Sequence, residues 1–249
     1  MSGLVLLLPH GYDGQGPEHS NARLERFTQA VADDYNKILT DPDYLNDLEE
    51  KVNIRVVNMT SAANYFHILR NQLKNKYRKP LVVFAPKKLL RDRRVKSSMK
   101  EIVNGSQFRP ILIDVQDKKK TKLVLMASGQ ISLDLLEHIE KNKLGEQVAL
   151  LRVEQIAPFP YASFREHMAD FDKDVKVVWV SEEPLNFGAY PYIQNRVNLL
   201  LKDMGFKQTI GYAGRKISPV TAGGKLSKHV VEQQKIISDA FESLKKENN

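Results

Sequence analysis

The segment LVLLLPHGYDGQGPEHS, residues 4–20, is the best starting point for predicting the architecture. Leu4 to Leu8 is an uninterrupted apolar run, which is typical of a buried strand. Residues 9–20 contain three glycines, two prolines and two histidines, a composition that predicts a loop. Apolar spacing from Asn21 onward predicts a helix, for which Ser20 is a suitable N-cap. Loops at the carboxyl ends of strands in open α/β sheets commonly bind ligands, so we expect a pocket here.

Farther along the chain, strand-like and helix-like segments alternate. Apolar runs predict strands at residues 54–57, 81–85, 123–127, 147–153, 175–180 and 208–212. Apolar residues that recur every three or four positions predict helices at residues 62–73, 131–141, 161–168, 193–201 and 228–244, the first with Ser61 as its N-cap. The polar stretch at residues 33–50 predicts a surface insertion with a short helix at 43–50. The alternation predicts an α/β protein with two open, mainly parallel sheets flanked by helices.

A break in composition near the middle of the chain predicts a domain boundary. Residues 114–122 are highly charged and almost free of large apolar side chains, which is typical of a linker. We therefore expect one domain at residues 1–113 and a second at residues 123–249, joined by this charged linker.

The overall composition is that of a globular protein with a basic excess. Basic residues number 38 against 30 acidic ones, which gives a net charge of +8 with clusters at residues 87–96 and 118–122. Such charge attracts nucleic acids, acidic partners or anionic substrates. Because no nucleic-acid-binding motif accompanies the clusters, we expect no nucleic-acid partner and interpret them mainly as solvated surface. No apolar run reaches the roughly 18 residues of a membrane span, and the absence of cysteine excludes disulfides and thiolate metal sites.

Seven blocks of sequence, spread over nearly the whole chain, carry a resemblance to a known family. They are residues 14–27 (GQGPEHSNARLERF), 65–70 (YFHILR), 78–83 (RKPLVV), 85–91 (APKKLLR), 152–160 (RVEQIAPFP), 182–186 (EEPLN) and 212–215 (YAGR). In this order and at this spacing, the chain resembles the last part of the first component of the 2-oxoglutarate dehydrogenase complex, a thiamine-diphosphate enzyme of the transketolase superfamily. The resemblance implies the C-terminal portion of a transketolase-like pyrimidine-binding domain followed by a transketolase C-terminal-like domain.

The resemblance also implies an activity for the full-length enzyme. That enzyme decarboxylates 2-oxoglutarate in the tricarboxylic acid cycle, using thiamine diphosphate and Mg²⁺, and passes the succinyl unit to lipoyl groups. The expected partners are a second copy in a homodimer, the lipoyl acyltransferase and dihydrolipoyl dehydrogenase components, and the 2-oxo acid substrate. The implied location is the mitochondrial matrix in a eukaryote or the cytoplasm in a bacterium. No targeting segment precedes the first strand, which fits a piece of a longer chain.

His19 is the first candidate for a catalytic and substrate-binding residue. It directly precedes the predicted N-cap, where backbone N–H groups and the helix dipole favour a substrate carboxylate or a developing oxyanion. In the family that the chain resembles, the histidine of Gly-Pro-Glu-His lies in the active site, and His19 occupies that motif position. The alternative from the residues alone is a histidine that only ties down its loop.

His10, at the end of the first predicted strand, and Gln15, in the same loop, are further candidates for substrate binding. A structural role is the alternative for His10. For Glu182 and Glu183 we expect a structural role between the domains, because neighbouring side chains in an extended chain point to opposite faces.

The chain lacks other sequence features of the family. It contains no Gly-Asp-Gly followed by a long spacer and Asn-Asn, which holds magnesium and diphosphate in the family, so we assign no cofactor-binding or metal-ligating residue. We therefore expect the 249-residue chain by itself to be inactive. Three alternatives remain: a 2-oxoadipate dehydrogenase, which shares most of the blocks; a non-catalytic docking module whose basic clusters bind acidic partner surfaces; and a nucleic-acid binder, whose affinity would fall steeply with salt.

Overall fold

Nine strands and eight α-helices make up the part of the chain that the computed structural model describes, residues 2–12, 16, 21–103 and 105–245. The strands are β1 (Val5–Pro9), β2 (Arg55–Val57), β3 (Leu81–Ala85), β4 (Ile111–Asp114), β5 (Leu123–Ala127), β6 (Val148–Val153), β7 (Gln155–Ala157), β8 (Lys176–Pro184) and β9 (Gly211–Arg215). The helices are α1 (Leu24–Gln29), α2 (Leu48–Lys51), α3 (Ala62–Lys74), α4 (Ile131–Lys141), α5 (Tyr161–Met168), α6 (Tyr190–Asp203), α7 (Leu226–Ala240) and α8 (Glu242–Lys245). Short 3₁₀ helices lie at Tyr35–Ile38, Lys87–Arg91, Arg93–Val95 and Met99–Glu101.

The strands form two sheets that are mainly parallel. The first sheet has the order β1-β3-β2-β7 and the second has the order β4-β6-β5-β8-β9. Within these sheets β2 pairs with β7, and β4 with β6, in antiparallel fashion, whereas the other pairs are parallel. Val5 is in register with Leu81, and Leu123 with Val148. The predicted class, α/β with two mainly parallel sheets flanked by helices, is confirmed.

The central strands form where continuous apolar runs are covered on both faces. All five residues of β5 are buried, and so are the first four of β3, as expected for parallel strands packed between helices. One apolar cluster contains Val56 and Phe84 of the first sheet together with Met126 and Trp179 of the second. The two sheets therefore share a hydrophobic core.

Helix α3 begins as predicted, whereas α1 begins later than predicted. The Ser61 hydroxyl accepts a hydrogen bond from the Asn64 backbone N–H, which confirms Ser61 as the N-cap of α3. The predicted start of α1 at Asn21 is wrong, because α1 starts at Leu24 with Arg23 as N-cap. Ser20, the predicted N-cap, lies outside the described residues. The Asn21 side chain accepts a 2.7 Å hydrogen bond from the Arg23 N–H, a local turn that competes with helix formation.

The chain passes between the two sheets near residue 154. Strand β6 ends at Val153 in the second sheet, and β7 starts at Gln155 in the first. Strand β4, at residues 111–114, belongs to the second sheet although it precedes the charged residues 114–122. The earlier part of the chain thus contributes β4 to the second sheet, and the later part contributes β7 to the first. Sheet membership alone therefore does not test the division into residues 1–113 and 123–249, which stays a prediction.

Candidate active site

The candidate site lies where the chain leaves the carboxyl end of β1. His10 follows β1 directly, and its backbone N–H donates to the carbonyl of Ala85 at the end of the neighbouring strand β3. The carboxyl ends of β1 and β3 therefore meet at one edge of the first sheet, as parallel pairing requires. His19 and Gln15, the other two predicted site residues, lie outside the described residues.

The His10 side chain is buried between the two sheets, with only 3% of the residue exposed. Its ring packs edge-on against the Phe84 ring, with 5.2 Å between the ring centroids. Nε2 lies 2.8 Å from a carboxylate oxygen of Glu183 on β8. Nδ1 is buried and has no hydrogen-bond partner among the described residues. The structure thus connects His10 of the first sheet with Glu183 of the second.

The protonation state of this pair follows from the contacts of Glu183. Burial by itself raises the pKa of the Glu183 carboxyl, but the hydrogen bond and charge of His10 and the 2.5 Å hydrogen bond from the Ser181 hydroxyl lower it to about 2. At neutral pH Glu183 is therefore ionised and accepts hydrogen bonds. Because the carboxylate is the acceptor, Nε2 of His10 carries a proton.

The neighbouring carboxylate, Glu182, contacts a different group of the same loop. It is buried, and one of its oxygens accepts a 3.1 Å hydrogen bond from the Tyr12 backbone N–H. Glu182 and Glu183 therefore bind two separate positions, the Tyr12 backbone and the His10 ring, which is the arrangement that a structural role requires. The sequence placed both residues after the strand, whereas the structure includes them in β8, which continues to Pro184.

Arg215, the last residue of β9, packs on the same loop. Its guanidinium carbon lies 4.6 Å from the centre of the Tyr12 ring, in cation–π geometry. The guanidinium also donates to the carbonyl of Glu182 and forms a 2.9 Å ion pair with Glu232 of α7. Tyr12 and Arg215 help to line a cleft of about 510 Å³ beside α7. Sequence reasoning singled out Arg215 only as part of a family block and did not predict its contact with Tyr12.

The segment after β9 contacts both Tyr12 and Asn21. The Tyr12 hydroxyl donates to the carbonyl of Val220 over 3.3 Å, and the Asn21 side-chain amide donates to the carbonyl of Thr221. On α1, a Glu25 carboxylate oxygen accepts a 3.0 Å hydrogen bond from the backbone N–H of Gly188. Residues on both sides of the undescribed stretch 17–20 are therefore bound to residues that follow β8 or β9.

The described residues contain neither a metal-binding cluster nor a membrane-spanning helix. Within residues 2–12, 16, 21–103 and 105–245, no group of three or more His, Asp or Glu side chains is arranged to hold a metal ion. None of the helices in these ranges is both long enough and apolar enough to cross a bilayer.

Two family models match consecutive parts of the chain. Residues 1–93 match the pyrimidine-binding domain of transketolase, and residues 96–241 match the family described as 2-oxoglutarate dehydrogenase C-terminal. The second match alone covers more than half of the chain.

Curated relatives agree with these matches. The chain is 40% identical to the 2-oxoglutarate dehydrogenase E1 component of Brucella anthropi and 39% identical to that of Brucella ovis. Each alignment covers 97% of this chain but 23% of the relative, so the chain spans about a quarter of the length of these relatives.

A solved structure supports the fold. The chain is similar to an inactive β4 tetramer of a split-gene transketolase, with a TM-score of 0.51 and 14% identity over 78% of this chain and 58% of the other. At this identity the likeness concerns the fold alone. The two family matches and the Brucella relatives lead to one conclusion: the chain belongs to the 2-oxoglutarate dehydrogenase E1 family and corresponds to the C-terminal part of its members.

Proposed function

We propose that this chain forms the C-terminal part of an enzyme that oxidatively decarboxylates 2-oxoglutarate with thiamine diphosphate and delivers the succinyl unit to lipoyl groups. The observation that carries the proposal is the 40% identity to a 2-oxoglutarate dehydrogenase E1 component over 97% of the chain. The match of residues 1–93 to a transketolase pyrimidine-binding domain supports the choice of cofactor.

In this proposal the loop after β1 supplies the residues that act on the substrate. His19 binds a carboxylate of the dianionic 2-oxo acid and moves a proton during the reaction, because an imidazole exchanges protons readily near neutral pH. Gln15 and His10 contribute to substrate binding. His10 and Tyr12 are hydrogen-bonded to the second sheet and Asn21 to the segment after β9, and these contacts support a site at this edge of the sheet.

The cofactor itself requires residues beyond those of this chain. The described residues provide no group of carboxylates suited to magnesium, and the sequence has no Gly-Asp-Gly with a distant Asn-Asn. The residues present therefore do not fit the magnesium–diphosphate end of the cofactor. We accordingly propose that the 249-residue chain alone binds thiamine diphosphate poorly and has no decarboxylase activity.

The proposed partners follow from the same family. They are a second copy of the enzyme, the lipoyl acyltransferase and the dihydrolipoyl dehydrogenase. The relatives from Brucella, a bacterium, support a cytoplasmic location rather than the mitochondrial matrix.

The test of the proposal is turnover by the full-length E1 protein that contains this sequence. We expect decarboxylation of 2-oxoglutarate, and a fall of roughly 100-fold or more in kcat/KM on His19→Ala, the effect typical of a general acid or base. His167→Ala, on α5, is the matched control and should retain full activity. Preferred turnover of 2-oxoadipate would favour the alternative substrate, and absence of turnover with either acid would favour the docking module.

A further inference from the structure

We infer that the cleft beside α7 is a docking site for a partner protein, and that it takes an acidic segment which also carries apolar side chains. The cleft, about 510 Å³ in volume, lies between residues 214–225 and helix α7 and is called the basic cleft below. It is separate in sequence from the basic clusters at residues 87–96 and 118–122. The inference goes beyond the proposed function and does not depend on the reaction.

The basic cleft carries an excess of positive charge. Five lysine or arginine side chains line it, against two carboxylates. Glu232 pairs with Lys228 at 3.6 Å and with Arg215 at 2.9 Å. Asp239 pairs with Lys235 at 2.7 Å. Each carboxylate is therefore already balanced by a cation of the cleft itself.

Two further lysines of the basic cleft remain available to a partner. Lys216 follows β9 directly, and Lys225 directly precedes α7. Both are exposed, and neither forms an ion pair with any other residue that the structure describes. Because no carboxylate of the described chain neutralises them, these two side chains attract an acidic ligand.

Apolar side chains are exposed in and beside the same cleft. Ile217 and Val220 line it and are 71% and 59% exposed. Leu226 and Val230 of α7 are 64% and 45% exposed, and at a spacing of four positions they share one side of the helix. Exposed apolar surface that is bordered by charged residues is typical of protein interaction sites.

The combination of charge and apolar surface selects the occupant. A second copy in symmetric contact would bring this positive surface against itself, which like charges oppose. A nucleic acid would contact the lysines but leave Ile217 and Leu226 without apolar partners. A membrane surface is broad and flat, whereas this site is a cleft. A peptide with alternating acidic and apolar side chains matches both the lysines and the apolar residues.

Peptide binding to the full-length E1 protein tests the inference, with fluorescence anisotropy as the measurement. The probe is a fluorescein-labelled peptide of about ten residues in which Glu and Leu alternate. We expect it to bind, and the binding should weaken as NaCl is raised from about 0.05 M to about 0.5 M, because salt screens exposed charges. Control peptides with Lys in place of Glu, or Ser in place of Leu, should bind at least about tenfold more weakly.

Substitutions in the basic cleft locate the binding. Lys216→Glu combined with Lys225→Glu should raise the Kd for the Glu–Leu peptide by about tenfold or more, and so should Ile217→Ser combined with Leu226→Ser. The matched control combines Lys76→Glu with Lys119→Glu, which changes the net charge equally at exposed positions outside the cleft. This control should alter the Kd by less than about twofold. Thermal melting of each variant verifies that it is folded.

Several outcomes would overturn the inference. Failure of the Glu–Leu peptide to bind would show that the rest of the E1 protein covers the cleft. Equal weakening by the control pair, or equal binding of the peptide with Ser in place of Leu, would show general charge attraction only. Stronger binding of single-stranded DNA or of phosphatidylserine vesicles would assign the surface to another class of partner. A change of oligomeric state in the Lys216→Glu, Lys225→Glu variant, measured by sedimentation velocity, would assign it to contact between copies. None of these measurements uses turnover, so their outcome is distinct from that of the proposed function.

Discussion

Glu183 lies on β8 with 16% of its side chain exposed and contacts His10 of the first sheet. Its pKa of about 2 lies below the usual 4.5, so the folded state favours the ionised form. A carboxyl with a lowered pKa stabilises the fold above its unfolded pKa, and that contribution is lost as the pH falls through the folded pKa. The stabilisation from Glu183 should therefore be complete at neutral pH and disappear between about pH 4.5 and pH 2.

The lowered pKa of Glu183 leads to a pH-dependent prediction for Glu183→Gln. At pH 7 the substitution should lower the free energy of unfolding by on the order of 2 kcal/mol, because Gln cannot supply the negative charge that faces His10. The difference from the wild type should shrink as the pH approaches the folded pKa. Urea denaturation across this pH range measures it, with Glu166→Gln as a control whose effect should not depend on pH. A constant difference would contradict the assigned protonation of Glu183.

One buried carboxylate joins the connection after α1 to helices α5 and α6. The Asp33 side chain is fully buried and accepts hydrogen bonds from the hydroxyls of Tyr161 and Tyr192 at 2.9 and 2.5 Å. It also forms a 2.9 Å ion pair with Arg196 of α6. Burial, reinforced by the charge of Asp33, raises the pKa of both tyrosines, so both hydroxyls stay protonated and donate at neutral pH.

We expect Asp33→Ala to be strongly destabilising. It would leave the buried guanidinium of Arg196 with backbone carbonyls as acceptors but without its carboxylate partner. Breaking a buried ion pair in this way typically costs about 3–5 kcal/mol. The matched control is Asp34→Ala at the adjacent exposed position, whose side chain accepts from the Asn36 N–H at the start of a 3₁₀ helix. Loss of that cap should cost about 1 kcal/mol. Urea denaturation measures the free energy of unfolding of both variants. An equal loss of this free energy in Asp33→Ala and Asp34→Ala would show that Asp33 does not connect these elements.

The local burial pattern explains which elements could be predicted from sequence. Strands β3 and β5 and helices α4 and α5 occur where predicted because apolar periodicity reflects burial directly. Strands β4 and β7 were not predicted, since they have four and three residues and depend on antiparallel pairing with distant strands. For the site, the sequence predicted a loop with histidines, but the contact between His10 and Glu183 spans 173 positions and required the fold.

The first sheet of the molecule has an apolar edge. Strand β1 is the end strand of the order β1-β3-β2-β7, and it is paired with β3 on one side in the described part of the chain. Leu4, just before β1, and Leu7, within it, are each 56% exposed. An edge strand with exposed leucines presents unpaired backbone groups together with apolar surface, a combination that promotes pairing between chains.

We therefore expect the 249-residue chain to self-associate through β1 in a concentration-dependent manner. Leu7→Lys should weaken this association by about tenfold or more, because a lysine on an edge strand opposes strand pairing between copies. Sedimentation velocity over a wide range of concentrations measures the effect. Leu90→Lys is the matched control, since Leu90 is 77% exposed but lies in a 3₁₀ helix rather than on a sheet edge. If both substitutions weakened association equally, general surface hydrophobicity would be the cause, and an unchanged association constant for Leu7→Lys would exclude β1 as the contact between copies.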